Sequence, residues 1–435
     1  VIEAAGVHDS RVSGRTGFFS ILISPLSLGM GASAGREGPA VHLGATLASL
    51  AARRMGYGPH AAQILLASGA AAAVSASFNA PIAGVLFALE VVLGHYALSV
   101  FGPVVIASVS AAVVARIHLG EFPAFAVPIM DFGSYWQMPA FALLGLASGV
   151  VAVVFMRTAI QINGLARDAC ARTGFPNWAR PAAAGIVVGA IAVFLPQVLG
   201  VGYKATDIAL RGGFALWLAL LLIAAKIVAT AVTLAGRFGG GVFSPALYLG
   251  AMTGCASVLS ATPLFPLESG DIAVYAVAGM GAVAAAVLGA PISTALIAFE
   301  LVREYGLALA LLISVSISTV FTQAVLGKSY FHWQIERRGY RLREGPQDVL
   351  LQTILAREVM REETRTLDAA ERDGPTALPG DPLKTVFELM DGHNTNVLPV
   401  VAAKGDAACI GTVERSRALA AYNRALVNAH IEQHR

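Results

Sequence analysis

Two short glycine-rich segments carry the chemistry in this sequence. Gly35-Arg-Glu-Gly-Pro39 and Gly239-Gly-Gly-Val-Phe-Ser-Pro245 each run into a proline. Proline suits the first helical position, where its missing N–H costs nothing. The glycines let the preceding backbone turn and expose its amides. Each segment therefore predicts a helix N-terminus with free N–H groups at its positive end, which is an anion site. The helix dipole alone contributes about 0.3–1 kcal/mol, rising to about 2 where partly buried. Stripping an ion of water costs on the order of tens of kcal/mol in the Born limit. Direct N–H and O–H donors must therefore hold the anion, and the amides of Val242 and Phe243 are the candidates. Gly35, Arg36, Gly38 and Gly241 complete the two loops, with Arg36 setting the local potential or pairing structurally. Glu37 sits inside the first segment. A carboxylate there competes with the anion for the same donors, so its protonation or outward swing vacates the site. Glu37 reads as a gate and a proton acceptor.

The elements that must position these loops are membrane helices. Hydrophobic residues make up 56% of the 435 residues and charged ones 13%, against about 25% charged in ordinary globular chains. The mean hydropathy is +0.68. A cytosolic enzyme, a disordered chain and a fibrous protein are excluded. Apolar stretches recur around 17–34, 61–77, 80–93, 97–115, 138–156, 182–195, 214–235, 245–259, 272–290, 291–302 and 307–326. Several fall short of the ~20 residues an upright span needs, and Gly or Pro interrupts many. The fold class is an all-α polytopic membrane bundle of broken, tilted helices, over residues 1–344. From Gly345 to Arg435 there are 10 basic and 13 acidic residues, against 20 and 14 in the first 344. That tail reads as a small α/β domain, with a strand at Asn396–Val401 and a helix at Ala418–Ala429. Lys328, Arg337, Arg338, Arg341 and Arg343 follow the last apolar stretch and mark its cytoplasmic side; Gly345-Pro346 then punctuates a linker.

The bundle is internally duplicated. Pro39–Ala45 matches Pro245–Ala251 at five of seven positions, offset by 206. Ala80–Glu90 matches Ala290–Glu300 at six of eleven, offset by 210. Two matches in one order at nearly the same offset imply homologous halves, about 17–165 and 180–326. Folds built this way place their site at the repeat interface, where discontinuous helices end. Glu90 and Glu300 occupy equivalent positions, which suggests a shared structural role such as hydrogen-bonding a neighbouring backbone. His42, opposite Tyr248 in the repeat, reads as a packed helix residue, and Tyr330 as an interfacial anchor. Cys170, Cys255 and Cys409 are too far apart for metal-ligand spacing, so no metal is expected. No basic run with interleaved aromatics points to nucleic acid. No nucleophile, base and oxyanion constellation points to an enzyme.

These motifs resemble the CLC family of chloride channels and chloride/proton antiporters. Gly35–Pro39 is similar to its gating-glutamate motif, Gly241–Pro245 to its Gly-x-Phe-x-Pro filter motif, and Lys328-Ser-Tyr330 to the segment carrying its pore tyrosine. The resemblance covers roughly residues 1–340. It implies an inverted-repeat fold, chloride as substrate with protons and other small anions as further partners, and a homodimer with one pore per subunit. The host would be the plasma (inner) membrane. It makes Glu37 the external gate, has Val242 and Phe243 supply amides and Tyr330 its hydroxyl to the anion, and puts Pro39 and Pro245 at the helix starts. The family's Gly-Ser-Gly-Ile-Pro motif would fall upstream of Val1, so the chain reads as lacking its opening helices and that serine. Antiporters of the family commonly carry a glutamate where this chain has Val91. That favours channel-like movement; the alternative is a chloride/proton antiporter, and behind it another secondary transporter or a non-transporting fragment. Arg357–Met360, Asn396–Val401 and Gly411–Val413 resemble a single CBS domain, which implies an adenine nucleotide as ligand or else a packing appendage.

Overall fold

The computed structural model describes residues 1–7, 10–96, 98–120, 125, 137–261, 271–302, 305–337, 351, 354–368, 374–403, 406 and 408–433. Two compact units result, one of Val1–Tyr96 with Val100–Leu342, the other of Ala97–Ser99 with Arg343–Arg435. The Gly345-Pro346 linker, Arg338, Arg341 and Arg343 lie outside the described residues.

The first unit is helical. In its first half come α1 (Ile2–Val7), α2 (Gly14–Gly29), α3 (Glu37–Arg54), α4 (Pro59–Phe78), α5 (Pro81–Phe87) with a π-helical continuation (Ala88–Leu93), and α6 (Leu98–Leu119). Then follow α7 (Met138–Thr173), α8 (Arg180–Phe194), α9 (Tyr203–Leu210), α10 (Leu216–Ala235) and α11 (Phe243–Ala261). The unit closes with α12 (Ile272–Leu288), α13 (Pro291–Val302), α14 (Tyr305–Leu326) and α15 (Tyr330–Glu336). Among the described residues, six helices are long and apolar enough to cross a membrane.

The apolar stretches locate most of these helices, but α1, α3, α9 and α15 fall outside them and α7 outruns its own. α7 runs 36 residues, far past the apolar stretch ending near 156. Its last turns carry Arg167, Asp168 and Arg172, exposed charges that end the apolar run without ending the helix. At 1.5 Å per residue α7 is about 54 Å long, more than the ~30 Å hydrocarbon core. The eight-residue α9 was too short and too polar for hydropathy to reveal.

The duplication is visible atom by atom. A Cβ built on Gly44 would lie 2.2 Å from the Gly69 carbonyl oxygen, and one on Gly250 would lie 2.2 Å from that of Gly279. Those contacts let α3 cross α4, and α11 cross α12, backbone against backbone. Glu90 accepts from the N–H groups of Ile292 (3.0 Å) and Ser293 (2.7 Å), capping α13. Glu300 accepts from Ile82 (3.1 Å) and Ala83 (2.8 Å), capping α5. Each glutamate reaches the start of the other half's helix from the end of its own, so the two elements run antiparallel. The structural role expected for this pair is its role here, and it fills donors that proline-started helices leave open.

In the second unit, α16 (Ala356–Val359), β1 (Arg361–Thr366), α17 (Leu383–Gly392), β2 (Val397–Val401), β3 (Ala408–Glu414) and α18 (Arg415–Gln433) follow in order. The antiparallel sheet has the order β1-β3-β2. Val359, Leu383, Val386, Leu398 and Val413 form its core.

Candidate functional site at the paired helix starts

α3 and α11 begin side by side. Gly35 and Gly241 form a two-residue antiparallel bridge, each N–H donating to the other's carbonyl at 2.8 Å. The loops before them are pinned across the halves in the same way. The Ser33 N–H donates to Thr233 Oγ1 (3.2 Å), and the Gly239 N–H donates to Ser27 Oγ (3.2 Å). These pairs are equivalent under the 206-residue offset, so the repeat symmetry itself brings the two helix starts together.

Pro39 and Pro245 hold the third helical position rather than the first expected from sequence. The consequence is the same, because none of the first four N–H groups of a helix has an intrahelical acceptor. The N–H groups of Val242 and Phe243 find no acceptor among the described residues.

Glu37, only 3% exposed, folds back over Gly35. A Cβ on Gly35 would lie 2.7 Å from Glu37 Oε2 and 3.0 Å from the Ser244 amide nitrogen, so this position must be glycine for the carboxylate to rest there. Ser244, in the first turn of α11, donates its hydroxyl to Glu37 Oε2 at 2.5 Å. Tyr203, the first residue of α9, donates to Oε1 at 3.0 Å. Arg36 Nε stands 3.9 Å from Oε1, but half its side chain is exposed, which screens the pair. The Arg36 guanidinium lies 5.0 Å from the centre of the Tyr203 ring. The carboxylate of one half therefore sits at the helix start of the other.

Against this point lies a cavity of about 250 Å³, lined by Glu37, Val242 and Phe243 and also by Glu3, His42 and Val91. The Phe243 ring packs on Phe78 with centroids 5.0 Å apart. His42 is half-buried and faces this cavity. Tyr330 is buried at the start of α15, its oxygen accepting from Gln334 Nε2 at 2.9 Å. Its neighbours Phe331, Gln334 and Ile335 line the cavity, whereas Tyr330 does not. No group of three or more potential metal ligands occurs among the described residues.

Sequence reasoning assigned no role to Tyr203, Ser244 or Lys226. Lys226 is fully buried within α10 and donates to the carbonyls of Val198 (2.9 Å) and Gly200 (3.0 Å), bracing the loop that delivers Tyr203. A lone charge inside an apolar 20-residue helix was the available signal.

Comparison with known proteins agrees with this architecture. The family described as "Voltage gated chloride channel" matches residues 1–323. A ClcB-like chloride channel protein of Ralstonia nicotianae is 34% identical over 320 residues, covering 72% of this chain and 73% of the relative. The H(+)/Cl(-) exchange transporter ClcA of Klebsiella pneumoniae is 31% identical over 319 residues, covering 72% of this chain and 66% of ClcA. The crystal structure of a slow cyanobacterial Cl-/H+ antiporter superposes with a TM-score of 0.69 at 23% identity, over 78% of this chain and 80% of that one, and shows the shared fold. The chain is an integral membrane protein, and it belongs to the voltage-gated chloride channel (CLC) family, whose members are channels and transporters rather than enzymes.

Proposed function

We propose that this chain carries chloride across a membrane along a pathway that the Glu37 carboxylate closes. One observation carries the reading: a buried carboxylate from one half is held at the helix start of the other, by Ser244 at 2.5 Å and Tyr203 at 3.0 Å. The carboxylate acts as a tethered anion. Each hydrogen bond it accepts as a charged group is worth about 1.5–3 kcal/mol, and the helix start adds its dipole. Protonation removes the charge those donors favour, the side chain leaves, and chloride takes its place. Val242 and Phe243 then offer amides and Tyr330 its hydroxyl, with Gly35, Arg36, Gly38 and Gly241 forming the surrounding loops.

Movement without proton coupling is favoured by Val91, an apolar residue lining the cavity where an exchanger's relay carboxylate would stand. Proton-coupled exchange is the second reading. Glu3 and His42 face the same cavity as Glu37, and several relatives are named H(+)/Cl(-) exchange transporters. Chloride efflux from liposomes holding the full chain, with external pH recorded and potassium ionophore present, separates the two. Efflux without stoichiometric proton movement supports a channel; uphill proton movement driven by a chloride gradient supports exchange. No chloride flux under either condition contradicts the proposal. A homodimer in the plasma membrane with a cytoplasmic tail is part of the same reading. An adenine nucleotide at the tail is testable by calorimetry with ATP.

A further inference from the structure

We propose that Tyr203 is the latch of the Glu37 gate: its hydroxyl holds the carboxylate in the closed position and sets the pH at which the pathway opens. The inference rests on the reading of Glu37 as the gate and assigns the regulation of that site to a residue from another element.

The geometry fixes which partner moves. The Tyr203 ring is held on two sides, edge-on against buried Phe125 with centroids 4.9 Å apart, and beneath the Arg36 guanidinium at 5.0 Å. The loop before it is set by Gly200 (φ +59°) and Gly202 (φ +90°). A Cβ on Gly202 would lie 2.6 Å from the Tyr248 ring. Lys226 ties down two carbonyls of that loop, and its ammonium stands 4.9 Å from the centre of the Tyr248 ring. The tyrosine is a fixed post. The glutamate, joined to its helix by a flexible side chain, is the part that swings.

Donation to a carboxylate favours its ionised form. Two hydroxyls act here, from α9 and α11, and Arg36 on the same segment adds a screened charge. Glu3 of α1 and His42 of α3 face the shared cavity, and Lys226 of α10 stands behind Tyr248. Replacing Tyr203 by phenylalanine leaves all of these in place and keeps the ring. The change in pH profile therefore reports the hydroxyl alone.

The test measures chloride efflux from liposomes of the full chain, from acid to neutral pH, for wild type, Tyr203→Phe, Glu37→Gln and the double variant. Loss of one charge-assisted hydrogen bond is expected to move half-maximal flux about one pH unit upward in Tyr203→Phe, with flux above that pH rising about tenfold. In the Glu37→Gln background the same substitution changes nothing. An unchanged midpoint in Tyr203→Phe, with Glu37→Gln flat across pH, overturns the latch while leaving the gate intact. A Glu37→Gln variant that keeps the wild-type profile overturns the gate and the latch with it. If Tyr203→Phe yields no folded protein, Tyr203→Met, which also lacks the hydroxyl, gives the same reading: an upward shift supports the latch and an unchanged midpoint overturns it.

Discussion

The two halves of the membrane unit share one scaffold and differ in the residues it carries to the paired helix starts. Gly44 and Gly69 cross as Gly250 and Gly279 do, and Glu90 caps α13 as Glu300 caps α5. The loops before the helix starts are pinned by matching serine and threonine hydroxyls. At the helix starts the equivalence stops. Glu37 in the first half stands where the second has Phe243, and Gly38 stands where the second has Ser244. A carboxylate meets a hydroxyl there because the duplicated frame carries unlike residues at its centre. Symmetry builds the place where two helix N-termini meet, and asymmetry gives it a gate.

That contrast can be broken from the scaffold side first. Gly250→Leu drives a side chain into the Gly279 backbone and should abolish folded protein, seen as loss of the monodisperse peak on size-exclusion chromatography. Gly44→Leu should fail equally, whereas Gly102→Ala, with open space around its Cβ, should elute as wild type. Next come the caps. Glu90→Ala and Glu300→Ala each leave two helix-start amides without their acceptor and should cost about 1–3 kcal/mol, read as similar drops in melting temperature. Unequal drops would show that the halves are not energetically equivalent. The smallest effect is expected for Tyr330→Phe, a loss in chloride affinity of several-fold by calorimetry, about one hydrogen bond of ~1 kcal/mol. Equal affinity would remove Tyr330 as a ligand.

Much of this was legible in the sequence because the repeat left two registered copies to compare. The matched Ala-Pro-Ile starts and their glutamates ten residues on pointed to a structural role for Glu90 and Glu300, and the reciprocal caps bear that out. The glycine-rich loops pointed to paired helix N-termini. Proline was misplaced by two positions, since it is tolerated anywhere in a first turn. Tyr203 stayed hidden for a physical reason. It lies more than 160 residues from Glu37 in a short helix with no apolar signature, and only the loop braced by Lys226 brings it to the carboxylate. α7 was underestimated because hydropathy measures what is buried in lipid, while helices continue past it.

The account's central claim is that the Glu37 carboxylate is what closes the pathway. Its most direct test is the pH dependence of chloride flux through liposomes containing the Glu37→Gln variant of the full chain. Glutamine keeps the size of the side chain and cannot ionise, so it mimics the protonated gate. The account predicts flux that rises as pH falls for the wild type, and flux that is high and independent of pH for the variant. A variant whose flux still rises and falls with pH as the wild type's does would contradict the claim.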